Sequence, residues 1–268
     1  STSTTQRAIR QNNDCASPAG PCSSPSMAMR FSILGSGSSG NAAFLQTDNT
    51  RVLIDAGFSA KRLAGMLENL GEKIESIDAI LLTHEHGDHA AGLKGLARYP
   101  QIKVFANRGT ATKAQEGLKH RVPWQLFETG STFQFRDLEI SSFAVPHDAQ
   151  EPVGFLIAHG ENDLLSPRRS LAWLTDLGHA PVHVRESIRA ADVLVVEANH
   201  CSQMLEADTK RPWSTKQRIS GRHGHLSNAA ARELLESVTE SCWRQVFFAH
   251  LSQDCNSPAA VATACGPV

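Results

Sequence analysis

The stretch Thr83-His84-Glu85-His86-Gly87-Asp88-His89 decides the fold, because it places four potential metal ligands within six positions. His84 and His86 are two residues apart, so their side chains point the same way in extended backbone. The glycine that follows permits a tight bend, after which Asp88 and His89 begin the next helix. Imidazole and carboxylate groups bind zinc, iron and manganese. The stretch therefore predicts two adjacent half-sites for metal ions on one loop.

Other predicted strands also end on residues that can bind metal, namely His147, Asp176 and His250. Ligand sites in α/β sheets gather at the carboxyl ends of strands. We expect His147 to complete the half-site of His84 and His86, and His250 to complete that of Asp88 and His89. Asp176 can bridge both metals, because a carboxylate has two oxygens.

Two divalent ions, zinc or manganese with iron as a further option, are the predicted cofactors. Ions about 3.5–4 Å apart can share a bridging hydroxide that attacks phosphodiesters, thioesters or amides. Asp88 is accordingly predicted as both a ligand and a catalytic residue. An interpretation without metal would bury several ionisable groups together with no compensation.

Glu197 and His225 form a second polar pair. Glu197 ends a predicted strand, and His225 lies just before a predicted helix. A histidine oriented by a glutamate beside the metals can act as the general acid that protonates the leaving group. The alternative is that His225 only caps or packs the start of the helix.

A basic loop contains four basic residues around one aromatic residue, Trp213. The basic residues are Lys210, Arg211, Arg218 and Arg222. Basic side chains beside an aromatic ring can hold phosphates and stack a base, which predicts substrate binding by these five residues. The alternative is a solvated charged loop, which is common in soluble proteins.

The segment Gly35–Gly40 matches G-x-G-x-x-G, the pattern of dinucleotide-binding folds. That motif requires a helix directly after it, whereas Ala42–Thr47 is predicted to be a strand. We therefore expect a tight turn between strands and no nucleotide cofactor.

Composition is that of a globular protein of 268 residues with a formal net charge of -1, so any nucleic-acid binding requires a local basic patch. No apolar run approaches the roughly 18 residues of a membrane span, so no membrane partner is expected. The six cysteines form no C-x-x-C pair, which favours reduced thiols in a cytoplasmic protein. Residues 1–29 are predicted to be a disordered leader.

Several motifs together closely resemble the YycJ (WalJ) family of the metallo-β-lactamase superfamily. They lie between residues 30 and 256 and are Ser32–Asn41, Leu53–Gly57, Leu82–His89, Val145–Asp148, Leu174–Gly178, Val196–His200, Gln203–Leu205, Arg211–Trp213, Gly224–Asn228 and Ala249–Ser252.

The resemblance implies an α/β fold, the αββα sandwich of two mixed sheets flanked by helices, over residues 30–256, followed by a short tail, 257–268. It implies a bacterial cytoplasmic protein with nuclease activity, DNA exonuclease being a role proposed in that family. It also implies the ligand sets given above, and His225 with Glu197 matches the His-Glu pair of the related ribonuclease Z enzymes.

Two alternatives to a nuclease stay open at this point. A small-molecule hydrolase, either a thioesterase of the glyoxalase II kind or a β-lactamase, would use the same metals without needing the basic loop. A non-catalytic, metal-binding regulatory protein would bind the ions without turnover. The sequence does not determine the oligomeric state.

Overall fold

The structure, a computed structural model, describes residues 29–160 and 168–266, which contain two six-stranded sheets. The first sheet has its strands in chain order: β1 Arg30–Gly35, β2 Ala42–Gln46, β3 Arg51–Ile54, β4 Ala79–Leu81, β5 Lys103–Asn107 and β6 Trp124–Phe127. The second sheet has the reverse order, β12 to β7: β7 Thr132–Phe135, β8 Leu138–Ala144, β9 Val153–His159, β10 Arg169–Leu174, β11 Val193–Glu197 and β12 Gln245–Ala249.

Both sheets are mixed, as expected. In the first sheet β1, β2 and β3 pair antiparallel, and β3 to β6 pair parallel. In the second sheet β7 to β10 pair antiparallel, and β10 to β12 pair parallel. The carboxyl ends of the parallel strands therefore meet at one edge of each sheet, where ligand sites form in open sheets of this kind.

Strand β2 shows how the sequence produces two apolar layers. Successive side chains of a strand point to opposite faces of its sheet. Ala43 and Leu45 pack between the two sheets, against residues such as Phe155 and Trp173 of the second sheet. Ala42 and Phe44 pack on the other face, among the residues of the covering helices. The strand is buried on both faces and therefore reads as a continuous apolar run.

Helices cover the outer face of each sheet. Those against the first sheet are α1 Ala60–Glu68, α2 Gly87–Ala90, α3 Leu93–Leu96 and α4 Arg108–Glu116, with a single 3-10 turn at Ile74–Ser76. Against the second sheet lie α5 Val182–Arg189 and α8 Asn228–Ser237. The remaining helices are α6 Ser202–Ala207, α7 Trp213–Ile219 and α9 Pro258–Cys265. The layers form the expected αββα sandwich.

One predicted helix is divided in two. The apolar spacing of Ala90–Tyr99 predicts a single helix, whereas the chain forms α2 and α3 on either side of Gly92. Gly92 donates its N–H to the carbonyl oxygen of Ala56 at 2.7 Å, and a Cβ at this position would lie 2.5 Å from the carbonyl oxygen of Phe58. This close packing against the loop after β3 replaces the helical hydrogen bonds.

The predicted leader lies outside the described residues, except for Met29. The predicted tail contains α9, whose Val261 and Cys265 pack against Ala198 and Ala231. The longest helix in the described part of the chain is α8 with 10 residues, far below the roughly 20 that span a bilayer.

Candidate metal centre and active site

Three side chains at the site are carried by left-handed backbone. Asp55 follows β3, Asp176 follows β10 and His250 follows β12, with φ angles of 62°, 60° and 56°. Such a conformation costs a non-glycine residue of order 1–3 kcal/mol, and it persists where the surrounding structure enforces it. Here the sharp turn after each strand directs a polar side chain into the space between the carboxyl ends of the two sheets.

The first predicted half-site forms as one cluster. His84, His86 and His147 each offer a ligand atom, and these three atoms lie within 4.8 Å of one another. The ring centroids of His84 and His147 are 5.2 Å apart, and those of His86 and His147 are 5.1 Å apart. The histidine that follows β8 thus joins the two from the loop after β4.

The second predicted half-site lies beside the first. Asp88, His89 and His250 also offer ligand atoms that lie within 4.8 Å of one another. Asp176 lies between the two groups: its Oδ2 is 3.2 Å from Nε2 of His89, and its Oδ1 is 3.8 Å from Nε2 of His147. The structure therefore brings together all seven residues predicted as ligands.

Each of four ligand histidines is oriented through its Nδ1 atom. The partners, with their distances from Nδ1, are Thr83 Oγ1 for His84 (3.0 Å), Asp55 Oδ2 for His89 (2.8 Å), the Gly224 carbonyl oxygen for His147 (3.0 Å) and Glu197 Oε1 for His250 (2.6 Å). Metal-binding histidines ordinarily use their second nitrogen in this way. The Nε2 atoms are consequently left to face the centre of the cluster.

The donor set fits divalent metal ions. His84 and His250 are buried, yet within the described residues their Nε2 atoms have no hydrogen-bond partner. Buried polar atoms without partners are costly, and here both belong to the same cluster. Neutral imidazole nitrogens with two carboxylates form a ligand set that suits zinc, manganese or iron.

The ionisable side chains of the cluster shift one another's pKa values. Burial acts to raise the pKa of Asp176, but His250 and His89 outweigh it and hold that pKa well below its usual value. Burial acts to lower the pKa of His250, but Asp176, Asp88 and Glu197 raise it to about 10. Burial and the neighbouring His89 lower the pKa of His84 well below its usual value.

Glu197 and His225 form the predicted pair beside these ligands. Glu197 is fully buried, and its Oε1 accepts from His225 Nδ1 at 2.8 Å, while its Oε2 accepts the backbone N–H of Leu226 at 3.1 Å. Burial acts to raise the pKa of Glu197, but His225 and His250 lower it to about 2. Burial acts to lower the pKa of His225, but Glu197 and Asp176 raise it. Each partner therefore stabilises the charged form of the other.

The five residues of the predicted basic loop have different surroundings. Lys210 pairs with Asp254 at 2.8 Å, and Arg211 pairs with both Asp208 and Asp254 at 3.0 and 2.9 Å. The other three are placed as follows: Trp213 begins α7 with 68% of its surface exposed, Arg218 pairs with Asp148, and Arg222 Nη2 lies 3.2 Å from His179 Nε2. Arg218 therefore lies near the ligand cluster, because its partner Asp148 has Oδ1 3.3 Å from Nε2 of His147.

Further residues contact the ligands and were not predicted as ligands or catalytic residues, among them Asn41, Asp55, Thr83 and Asp148. Asp55 accepts from the backbone N–H of Thr83 at 2.8 Å and from His89 Nδ1, so one buried carboxylate supports both half-sites. Asp55 could have been predicted from the sequence, because it follows an apolar strand as several predicted ligands do.

Comparisons with known proteins identify the family of the chain. The family model of the beta-lactamase superfamily domain matches residues 50–250. The chain is 37% identical over 233 residues, 86% of its length and 85% of the relative's, to a protein named exodeoxyribonuclease YycJ from Bacillus anthracis. It is 35% identical over 232 residues, 85% and 83% of the two lengths, to a protein named exodeoxyribonuclease WalJ from Streptococcus pneumoniae.

A solved structure shows the same fold. The metallo-β-lactamase fold protein YhfI from Bacillus subtilis superimposes with a TM-score of 0.65 at 15% identity, covering 90% of this chain and 92% of that one. The fold, the ligand cluster and the sequence matches support one conclusion: the chain is a metal-dependent hydrolase of the beta-lactamase superfamily and belongs within it to the family of YycJ and WalJ.

Proposed function

We propose that the protein is a phosphodiesterase that acts on nucleic acid, as an exonuclease on DNA, with two divalent ions, zinc or manganese. Two relatives at 37% and 35% identity are named exodeoxyribonucleases, which supports DNA over a small molecule as substrate. RNA is the alternative nucleic acid. A cytoplasmic location stays a prediction from the family resemblance.

The observation that carries this proposal is the position of His225. Its side chain is 21% exposed, and its Nδ1 lies 3.7 Å from Asp176 Oδ1, so it faces both the ligand cluster and solvent. Glu197 accepts a hydrogen bond from Nδ1 of His225. This leaves Nε2 of His225 free to donate a proton to a departing oxygen. Hydrolysis of a nucleic acid releases a strongly basic alkoxide, for which general-acid assistance is large.

In this proposal each ligand group holds one of the two ions. His84, His86 and His147 would hold one, the group of Asp88, His89 and His250 would hold the other, and Asp176 would be shared. When bound, such ions supply Lewis acidity, an activated water and neutralisation of charge on the phosphate. Asp88 is catalytic in this proposal only because it would hold an ion next to the shared Asp176.

Arg218 and Trp213 are the best-placed residues for the substrate. The guanidinium of Arg218 lies on Asp148, beside the ligand His147, and a substrate phosphate can exchange for that carboxylate as a bidentate partner. Trp213 begins the same helix and exposes a ring on which a base can stack. Arg222 is exposed near this surface, whereas Lys210 and Arg211 are engaged by acidic neighbours and would contribute mainly by shaping the loop.

The test is nuclease turnover on single- and double-stranded DNA and on RNA of the same sequence, labelled at the 5′ or 3′ end, with Mn²⁺ or Zn²⁺. His86→Ala removes a ligand, and His223→Ala is the matched control because His223 is exposed and lies in the loop of His225. We expect metal-dependent removal of terminal nucleotides by the wild-type chain and the control, and none by His86→Ala. The label pattern gives the polarity.

Two results would contradict the proposal. The absence of cleavage by a wild-type chain that carries two metal ions would end the nuclease interpretation and direct the search to thioester and β-lactam substrates. Cleavage that persists in His86→Ala would show that it does not come from this centre.

A further inference from the structure

The glycine- and serine-rich turn Gly35–Asn41 has no role in the reaction described so far, and its last residue, Asn41, is buried and polar. Asn41 is 2% exposed. Its side-chain oxygen accepts the backbone N–H of Gly37 at 2.8 Å, so the oxygen is used within the turn. The amide nitrogen is thereby directed away from the turn, toward the ligand cluster.

That nitrogen reaches two ligands of the same group. Nδ2 of Asn41 donates to Asp88 Oδ2 at 3.3 Å, and a carboxylate oxygen keeps a further lone pair for an ion. The same nitrogen lies 3.0 Å from His89 Nε2, a contact that an ion bound to His89 would replace. The backbone makes a further contact, because the N–H of Asn41 donates to the carbonyl oxygen of Asp88 at 2.7 Å. The packing leaves no spare room: a Cβ on Gly57 would lie 1.7 Å from the carbonyl oxygen of Asp88.

The third ligand of this group is held by the same turn. Ser36 Oγ accepts the backbone N–H of His250 at 2.5 Å. Gly37 has a φ of 134°, and a Cβ there would lie 2.9 Å from the carbonyl oxygen of Leu251, so the close approach requires glycine. In the described part of the chain, no hydrogen bond joins this turn to His84, His86 or His147.

We propose that the turn is a positioning element for one half of the metal centre: through Asn41 and Ser36 it orients Asp88 and His250 and so sets the affinity of the ion held there. This inference rests on the proposed two-ion site. Groups that orient ligands reduce the ordering that binding requires, and their loss typically weakens metal binding 10–100-fold. Asn41 is a positioning residue and not a catalytic one.

The experiment is a stepwise Zn²⁺ titration of the metal-free full-length chain against a chromophoric chelator, with Asp88→Ala used to identify the step of its own half-site. We expect Asn41→Ala to weaken that step by about 10–100-fold and to leave the other step unchanged. The unchanged step also reports that the variant is folded. Ser38→Ala, in the same turn but exposed, is the matched control and should match the wild-type chain in both steps.

Equal weakening of both steps by Asn41→Ala, or no change in either, overturns the inference and leaves the proposed function intact. If Asn41→Ala does not fold, Ser36→Ala is judged by the same criteria, because it removes only the hydroxyl that accepts from His250. A wild-type chain that binds fewer than two ions overturns the two-ion proposal itself, and the two failures are therefore distinguishable.

Discussion

Replacing the imidazole that rests on Glu197 separates general-acid catalysis from the work of the metal centre. His225→Ala removes the predicted proton donor, whose Nδ1 lies 2.8 Å from Glu197, and it leaves all seven predicted ligands in place. General-acid assistance typically contributes 10²–10⁴-fold, about 2.7 to 5.4 kcal/mol of activation free energy. We expect kcat for DNA cleavage to fall by that factor.

The same variant should behave differently on an activated substrate. Bis(p-nitrophenyl) phosphate releases a weakly basic phenolate that departs without a proton, so its hydrolysis should fall by less than about tenfold. Both assays use metal-loaded protein with the metal content measured, and His223→Ala is the control. Equal losses on the two substrates would refute the general-acid role, as would DNA cleavage reduced by less than about threefold, which is under 1 kcal/mol.

Three further perturbations follow from the same contacts. Glu197→Gln should reduce both metal affinity and DNA turnover, since one buried carboxylate oxygen accepts from two imidazoles; metal titration that stays at the wild-type affinity would contradict this dual role. Arg218→Ala should raise KM for DNA several-fold with little change in kcat and reduce its dependence on salt, measured by steady-state kinetics at two salt concentrations; a fall in kcat alone would argue against phosphate binding. Neighbouring carboxylates outweigh burial and raise the pKa of His89 well above its usual value and that of His250 to about 10, so metal ions compete with protons for these two rings. Apparent affinity should therefore increase with pH, and calorimetry in buffers of different ionisation enthalpy should register proton release.

The seven predicted ligands, which the structure gathers in one cluster, could be identified in the sequence because their pattern is local or repeated. His84, His86, Asp88 and His89 are close in sequence, and His147, Asp176 and His250 follow apolar runs. Asp55 follows such a run too, but its part in orienting His89 depends on a left-handed turn and a contact across 34 positions of sequence.

Elements without an apolar pattern were not predictable. Strand β6 lies at the edge of its sheet and exposes two of its four residues, and α7 buries none of its side chains. Their positions are set by the neighbours on which they lie, and no period of 2 or 3.6 in the sequence marks them. The single helix predicted over Ala90–Tyr99 was wrong for the complementary reason: the close approach at Gly92 outweighed a good helical pattern.

The sequence by itself determined the αββα class, through the family resemblance, and it predicted the seven candidate metal ligands and the pairing of Glu197 with His225. The ligands and the pair were predicted from residue type and from position at the ends of apolar runs. The tertiary structure decided which groups orient the predicted ligands, that Asn41 and Ser36 reach one half of the candidate centre, and that Arg218 lies near the ligand cluster while Lys210 and Arg211 pair with acidic residues. The physical reason is distance along the chain. Contacts such as Ser36 with His250 join residues 214 positions apart, and only the packing of two sheets brings them within hydrogen-bonding range.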